Sequence, residues 1–388
     1  MKIIWNITNQ CGFHCDICAT YSDRKELAFS QKKDALRSIL SLGANRIREL
    51  DFAGGDPLYE EQSTQIVREG IALLGREKVC VTTTGLGVST ARMRGKDLRE
   101  LLYHCELTID SIESLPDRVR NAEMYAALNR SESVRCLDEI TNLHINVPIL
   151  NPDMSEKDIA ALVNSISGIR AKHIDVALLQ LMNVGKMSLR RYPLDYSPDR
   201  FVATFLRCAE GTAIQGVHVQ CALRGKLYGE TCNMLRQKVG VDCAGNVFAC
   251  AWGGYVKGYT RNNITENPFY AGNLLEQPLK DILASDRAQC LYRKIEEHPT
   301  SQCRVFCCQE GDRESIFRMP ASHPHKGEEK CSRKRSRWCV HSSAVPDSRR
   351  PSARSWQIRT GLKPVLSGLR RNWRNIWRRK RFMSRQTH

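Results

Sequence analysis

The stretch Thr8–Thr20, TNQCGFHCDICAT, decides how this chain is read. Cys11, Cys15 and Cys18 fall in one loop at C-x3-C-x2-C spacing. Three thiols cannot all pair with one another as disulfides, since two would bridge and one would remain. They can converge on a single metal centre. Iron–sulfur clusters are held by cysteine thiolates, and a four-iron cluster takes four, so three local ligands leave one iron open to a small molecule. A structural zinc knuckle is the alternative, because thiolates suit zinc equally well. Ahead of the loop, the apolar-leaning run Lys2–Thr8 reads as a first β-strand.

Outward from this loop the pattern alternates. Gln31–Leu42 is helical in spacing and stops at Gly43, Arg46–Phe52 reads as a strand ending in Gly54-Gly55-Asp56-Pro57, and Glu60–Leu74 is helical again. Glu77–Thr84 is a β-branched strand, Leu98–Tyr103 a short helix, Glu106–Asp110 a strand and Ser111–Asp138 mostly helix. His144–Leu150, Ser155–Ile166, His173–Leu179 and Asp199–Cys208 continue as strand, helix, strand, helix. Six β-α units imply an α/β fold with a parallel sheet covered by crossover helices, short of the eight that close a full TIM barrel. In such folds chemistry sits at the C-terminal ends of the strands, which is where the three-cysteine loop falls.

The cysteine spacing, its place after a first strand and the Gly-Gly-Asp-Pro turn after the second together resemble the radical S-adenosylmethionine (SAM) superfamily. The resemblance implies a partial (β/α)6 TIM-type barrel over residues 1–210. It also implies a [4Fe-4S] cluster on Cys11, Cys15 and Cys18 whose open iron chelates SAM. Gly54, Gly55, Asp56 and Pro57 match the turn expected to meet the SAM amino group, with Asp where the family usually has Glu. Ile17 sits where an aromatic often covers the adenine. Thr84, Asp110 and Ser111 match weaker positions for the carboxylate and ribose, and are equally read as strand-end caps. A one-electron reductant such as flavodoxin or ferredoxin is implied too. Cys80, Cys105 and Cys136 read as core thiols, Cys105 preceding its strand.

A second cysteine set follows in residues 211–319. Cys232 is followed by twelve residues, Gly245, four residues and Cys250, and Lys238–Asp242 with Asn246–Ala249 read as a β-hairpin around Cys243-Ala-Gly245. This resembles the SPASM or twitch extension of the same superfamily, as do the loop Ala271–Glu276 and the helix Leu279–Leu283. The resemblance implies an auxiliary [4Fe-4S] cluster on Cys232, Cys250, Cys303 and Cys307, with Cys308 the alternate for the last place. Cys208, Cys221, Cys243 and Cys290 are left as structural thiols, with Cys221 or Cys290 open to ligation in a variant arrangement. A zinc ribbon remains the competing expectation.

The 388 residues include 17 cysteines and carry a net charge of +17. With no export signal or transmembrane-length apolar run in the sequence, such cysteine use points to metal ligation in a reducing cytoplasm. Residues 320–388 carry 19 Lys/Arg against 3 Asp/Glu, whereas the first 319 carry 40 against 39. The basic tail reads as largely disordered, with an amphipathic helix expected over 356–381. Such a helix suits an anionic membrane or an acidic partner, or has no role at all. The neutral body offers no signal for nucleic acid. The leading expectation is a radical SAM enzyme that cleaves SAM reductively and abstracts a substrate hydrogen. The product would follow by oxidation, epimerisation or cross-linking of a natural-product intermediate or ribosomal peptide. The competing class is a zinc-containing nucleic-acid-binding protein built on cysteine knuckles and the tail.

Overall fold

The computed structural model describes residues 1–13, 15, 18–20, 23–95, 101–108, 140–186, 197–259 and 261–307. All of these belong to one compact unit, Met1–His323. Seven strands follow one another in parallel: β1 (Lys2–Thr8), β2 (Glu49–Gly54), β3 (Val79–Thr83), β4 (His104–Thr108), β5 (Asn142–Pro148), β6 (His173–Leu179) and β7 (Gly216–Val219). The hairpin strands β8 (Lys238–Val241) and β9 (Asn246–Phe248), with β10 (Tyr270–Asn273), continue the same sheet. Its order is β10-β9-β8-β1-β2-β3-β4-β5-β6-β7. β8 lies parallel to β1 in the register Lys2↔Lys238 to Trp5↔Val241, while β9 and β10 run antiparallel.

The helices are α1 (Phe29–Leu40), α2 (Glu61–Leu74), α3 (Leu86–Met93), α4 (Glu156–Ser167), α5 (Asp199–Ala209), α6 (Cys221–Tyr228), α7 (Leu279–Ala284), α8 (Asp286–Glu297) and α9 (Arg304–Cys307). Side chains alternate across a strand, and this alternation sorts the sheet into two faces. Ile3, Trp5 and Ile7 on β1 and Leu50 and Phe52 on β2 are fully buried in the core shared with Leu36, Ile39, Ile66 and Val67 of α1 and α2. Trp5 and Phe52 meet with ring centroids 5.7 Å apart. Lys2, Glu49 and Asp51 therefore point to the opposite, concave face.

That face is curled. Lys2 Nζ on β1 reaches Glu106 Oε1 on β4 at 2.9 Å, although three strand intervals span roughly 14 Å in a flat sheet. Lys238 on β8 donates to Cys221 Sγ, just past β7, at 3.3 Å, where seven intervals would span roughly 34 Å. The sheet thus bends into a partial barrel in which β8 and the segment after β7 approach each other.

Several boundaries differ from the sequence expectation. β2 begins at Glu49, since Arg46–Arg48 turn back toward Met1, and it runs on into Gly54. A helix, α3, starts directly after Gly85, in the stretch before Leu98 to which the sequence reading assigned no element; residues 96–100 lie outside the described set. β4 covers His104–Thr108, so Cys105 lies inside its strand rather than ahead of it. β7 is a seventh parallel strand that the short, Gly-containing run 216–219 did not announce. Ile17, Asp110, Ser111, Cys136, Cys308, the expected helix 111–138 and the whole tail lie outside the described residues. No described helix is long and apolar enough to cross a membrane.

Candidate metal and cofactor site

The cysteine loop leaves β1 at Thr8 and is fastened from three directions. Gly55 N–H donates to Thr8 O at 2.6 Å and Asp56 N–H to Gln10 O at 2.7 Å, and Thr20 Oγ1 donates to Gly54 O at 3.0 Å. Gly54 has φ of +116°, and a Cβ on Gly55 would overlap the Gln10 carbonyl. The glycine pair therefore serves first to let the cysteine loop lie on the turn after β2. From beyond β6, Lys186 N–H donates to Cys18 O at 2.9 Å. From the loop itself, Thr8 Oγ1 donates to the Glu26 carboxylate at 3.0 Å, and Lys32 pairs with that carboxylate at 3.2 Å.

Within the loop, Cys11 Sγ lies 3.2 Å from Phe13 O and Cys18 N–H donates to Cys15 O at 3.2 Å. Burial pushes the Cys11 thiol up, with Cys18 and Cys15 close enough to add to the effect. Mutual proximity of this kind is what a shared metal centre resolves.

Asp56 takes a role that sequence reading assigned differently. It is fully buried, and its carboxylate is occupied by protein donors. Oδ2 accepts from Thr83 Oγ1 (2.7 Å), Thr84 N (2.8 Å), Thr84 Oγ1 (2.7 Å) and Gly87 N (3.0 Å), and Oδ1 accepts from Leu58 N (3.0 Å). Asp56 ties the turn after β2 to the end of β3 and the first turn of α3. The Thr84 hydroxyl is likewise spent on Asp56. The backbone groups of Gly54–Asp56 that face the loop are themselves bonded to it, at Thr8, Gln10 and Thr20.

The second thiol set gathers at the start of β8. Lys238 donates to Cys221 Sγ at 3.3 Å, and Cys221, Cys232 and Cys250 each lie within one another's electrostatic reach. Burial pushes Cys250 to about 11 and raises Cys232 as well. Cys232 N–H donates to Thr300 O at 2.9 Å, which brings the Cys303 segment alongside. Cys307 ends α9, with its side chain outside the described set. Cys221, read from sequence as a structural thiol open to ligation in a variant arrangement, stands near the expected ligands, while Cys290 is exposed. Its neighbours in space, not its local sequence, separate it from Cys290.

Thiolates are the donors that iron–sulfur clusters take, so the chemistry of both sets fits such a group. A different trio, Glu49, Cys80 and Glu106 on the concave face, surrounds an ammonium. Lys2 Nζ sits 2.7 Å from Glu49, 2.9 Å from Glu106 and 3.5 Å from Asp51. Burial, then Glu106, pushes the Asp51 carboxyl up to about 7. Against the same burial, Lys2 holds Glu106 down at about 2.

The cysteine loop and the hairpin are joined through Arg24. Its side chain is buried, pairs with Asp242 Oδ2 at 2.8 Å, donates to Gly254 O and lies over the Phe248 and Tyr255 rings at 5.5 Å each. Asp242 also accepts from Ala244 N, Asn246 N and Asn246 Nδ2, so one carboxylate organises the hairpin turn and receives the arginine.

Comparison with known families matches the segments that carry most of these cysteines. Residues 3–123 match a 4Fe-4S single cluster domain, and residues 232–309 match the SPASM iron-sulfur cluster-binding domain. The chain resembles the radical SAM enzymes that carry a SPASM domain, a class whose cofactors are [4Fe-4S] and SAM. Among its relatives is the GTP 3',8-cyclase of Clostridium perfringens (strain 13 / Type A), 23% identical over 47% of this chain and 55% of that protein. The GTP 3',8-cyclase of Staphylococcus epidermidis is 22% identical over 69% of this chain and 84% of that one. The chain spans about half the length of the first curated relatives it matches. The fold resembles Streptococcus suis SuiB, solved with S-adenosylmethionine bound, at a TM-score of 0.55 and 15% identity over 82% of this chain and 77% of that one. The zinc and nucleic-acid expectation finds no support, since iron–sulfur families account for both cysteine sets.

Proposed function

We propose that this protein is an oxidising radical SAM enzyme acting on a polar substrate, a natural-product intermediate or a ribosomal peptide. The observation that carries the reading is the attachment of a second thiol site to the barrel sheet through β1 and β8. When bound, the first cluster and SAM supply a 5'-deoxyadenosyl radical for hydrogen abstraction, and an auxiliary cluster supplies an acceptor for the surplus electron of an oxidation. Cys11, Cys15 and Cys18 would hold the first cluster. Gly54–Pro57 would line the SAM site by holding the cysteine loop in place, with Asp56 fixing the turn from behind. Ile17, Asp110 and Ser111 are assigned to adenine and ribose by resemblance alone.

The chain's own residues set the environment. The concave face presents Lys2, Asp51, Thr82, Glu106, His144 and Asn146, linked by Thr82–Asp51 (2.8 Å) and Asn146–Glu106 (3.2 Å) bonds. Such a lining favours a hydrogen-bonding substrate over an apolar one.

Anaerobic reconstitution with iron and sulfide counts, and assay of 5'-deoxyadenosine with SAM and dithionite, test the reading. Wild type should hold near eight irons and form the nucleoside, and a Cys11→Ala/Cys15→Ala/Cys18→Ala variant about four irons and no nucleoside. Zinc without iron, and no nucleoside, would overturn it.

A further inference from the structure

The auxiliary site has two residues outside the expected ligand set, Cys221 and Lys238. Cys221 lies eleven positions ahead of the matched segment 232–309, at the first position of α6 just after β7. Its sulfur accepts from Lys238 Nζ at 3.3 Å. Lys238 is the first residue of β8 and lies opposite Lys2. Cys232 and Cys250, at the two flanks of the hairpin, lie in the field of both Cys221 and Lys238.

We propose that Cys221 is a ligand of the auxiliary cluster and that the Lys238 ammonium, hydrogen-bonded to its sulfur, sets that cluster's reduction potential. The proposal rests on the cluster reading above and deepens it. Cys221 and the hairpin cysteines come from segments seven strands apart in the ladder, so a cluster held by both staples the two ends of the curled sheet. Four thiolates, here Cys221 with Cys232, Cys250 and Cys303 in place of the expected Cys307, give a cluster substantial negative charge, and each electron added increases it. A fixed part-buried cation beside one thiolate favours the reduced form and raises the potential, as hydrogen bonds to cluster sulfurs and net charge do generally. A higher potential suits a centre that accepts the surplus electron from an oxidised substrate.

The test uses the full chain in the Cys11→Ala/Cys15→Ala/Cys18→Ala background, so that only the auxiliary site contributes iron. Cys221→Ala should lower iron retention or change the EPR line shape of the reduced cluster, while Cys290→Ala on the exposed face of α8 leaves both unchanged. Lys238→Met should move the midpoint potential to a more negative value, and Lys238→Arg should return most of that shift. A folding-independent arm uses the wild type. Iodoacetamide should modify Cys290 at all times but Cys221 only after a chelator strips the iron. Unchanged iron, EPR and potential in Cys221→Ala and Lys238→Met, or Cys221 alkylated equally with the cluster present, would overturn the proposal. A background protein without iron would overturn the auxiliary-cluster reading itself, and this assignment with it.

Discussion

At the residue scale, Asp56 is a motif position whose carboxylate is occupied by the protein's own donors. Its carboxylate collects five protein donors from the segment after β2, the end of β3 and α3. Asp56→Asn puts an N–H where one of these donors now points. It should cost about 3 kcal/mol in urea unfolding, on the scale of buried donors left unsatisfied. Asp56→Glu should not restore the loss. Gly87 packs directly on the carboxylate, leaving no room for the added methylene. Gly55→Ala tests the other half of the turn, since its Cβ would enter the Gln10 carbonyl. Iron held at the first site should fall in that variant while the fold survives, as read by iron counts and circular dichroism together.

At the element scale, two buried charge groups hold strands together and carry distinct signatures. Arg24 links the exit of the cysteine loop to the β8–β9 turn. Arg24→Met leaves Asp242 buried beside fewer donors and should destabilise by about 3–5 kcal/mol. Amide exchange at residues 242–246 should quicken first. The Lys2–Asp51–Glu106 group joins β1, β2 and β4 and makes stability depend on pH. Asp51 titrates near 7 in the fold and near 3.8 when unfolded, so the native state binds the extra proton between these values. Stability should therefore fall as pH rises from about 4 to 7. Glu106 has the opposite sign. Held near 2 against 4.5 unfolded, it should lose its contribution as pH falls from about 4.5 toward 2. Asp51→Asn should abolish the first slope and keep the second, measured as urea midpoints across the range.

At the scale of the whole molecule, the hairpin is part of the barrel sheet. β1 is paired on both sides, with β2 and with β8, and Asn6 Nδ2 donates to Tyr255 Oη at 2.6 Å. A sheet shared in this way should unfold as one unit. Denaturant curves followed by tryptophan fluorescence and by cluster absorbance at the auxiliary site should coincide. Separate midpoints would show that the hairpin segment opens independently of the barrel.

The sequence by itself determined the iron–sulfur class and the alternation. Cys11, Cys15 and Cys18 are local, and so is the strand–helix periodicity, because both depend on residues a few positions apart. The hairpin and its two flanking cysteines were legible for the same reason, as were β6 and α5 nearly to the residue. Only the tertiary structure decided the pairing of β8 with β1, the meeting of Cys221 with Lys238 across the curled sheet, and the burial of Asp56 among protein donors. These are contacts between segments tens to hundreds of residues apart. They are set by how the sheet bends and which edge remains open to a new strand, and no local spacing encodes that.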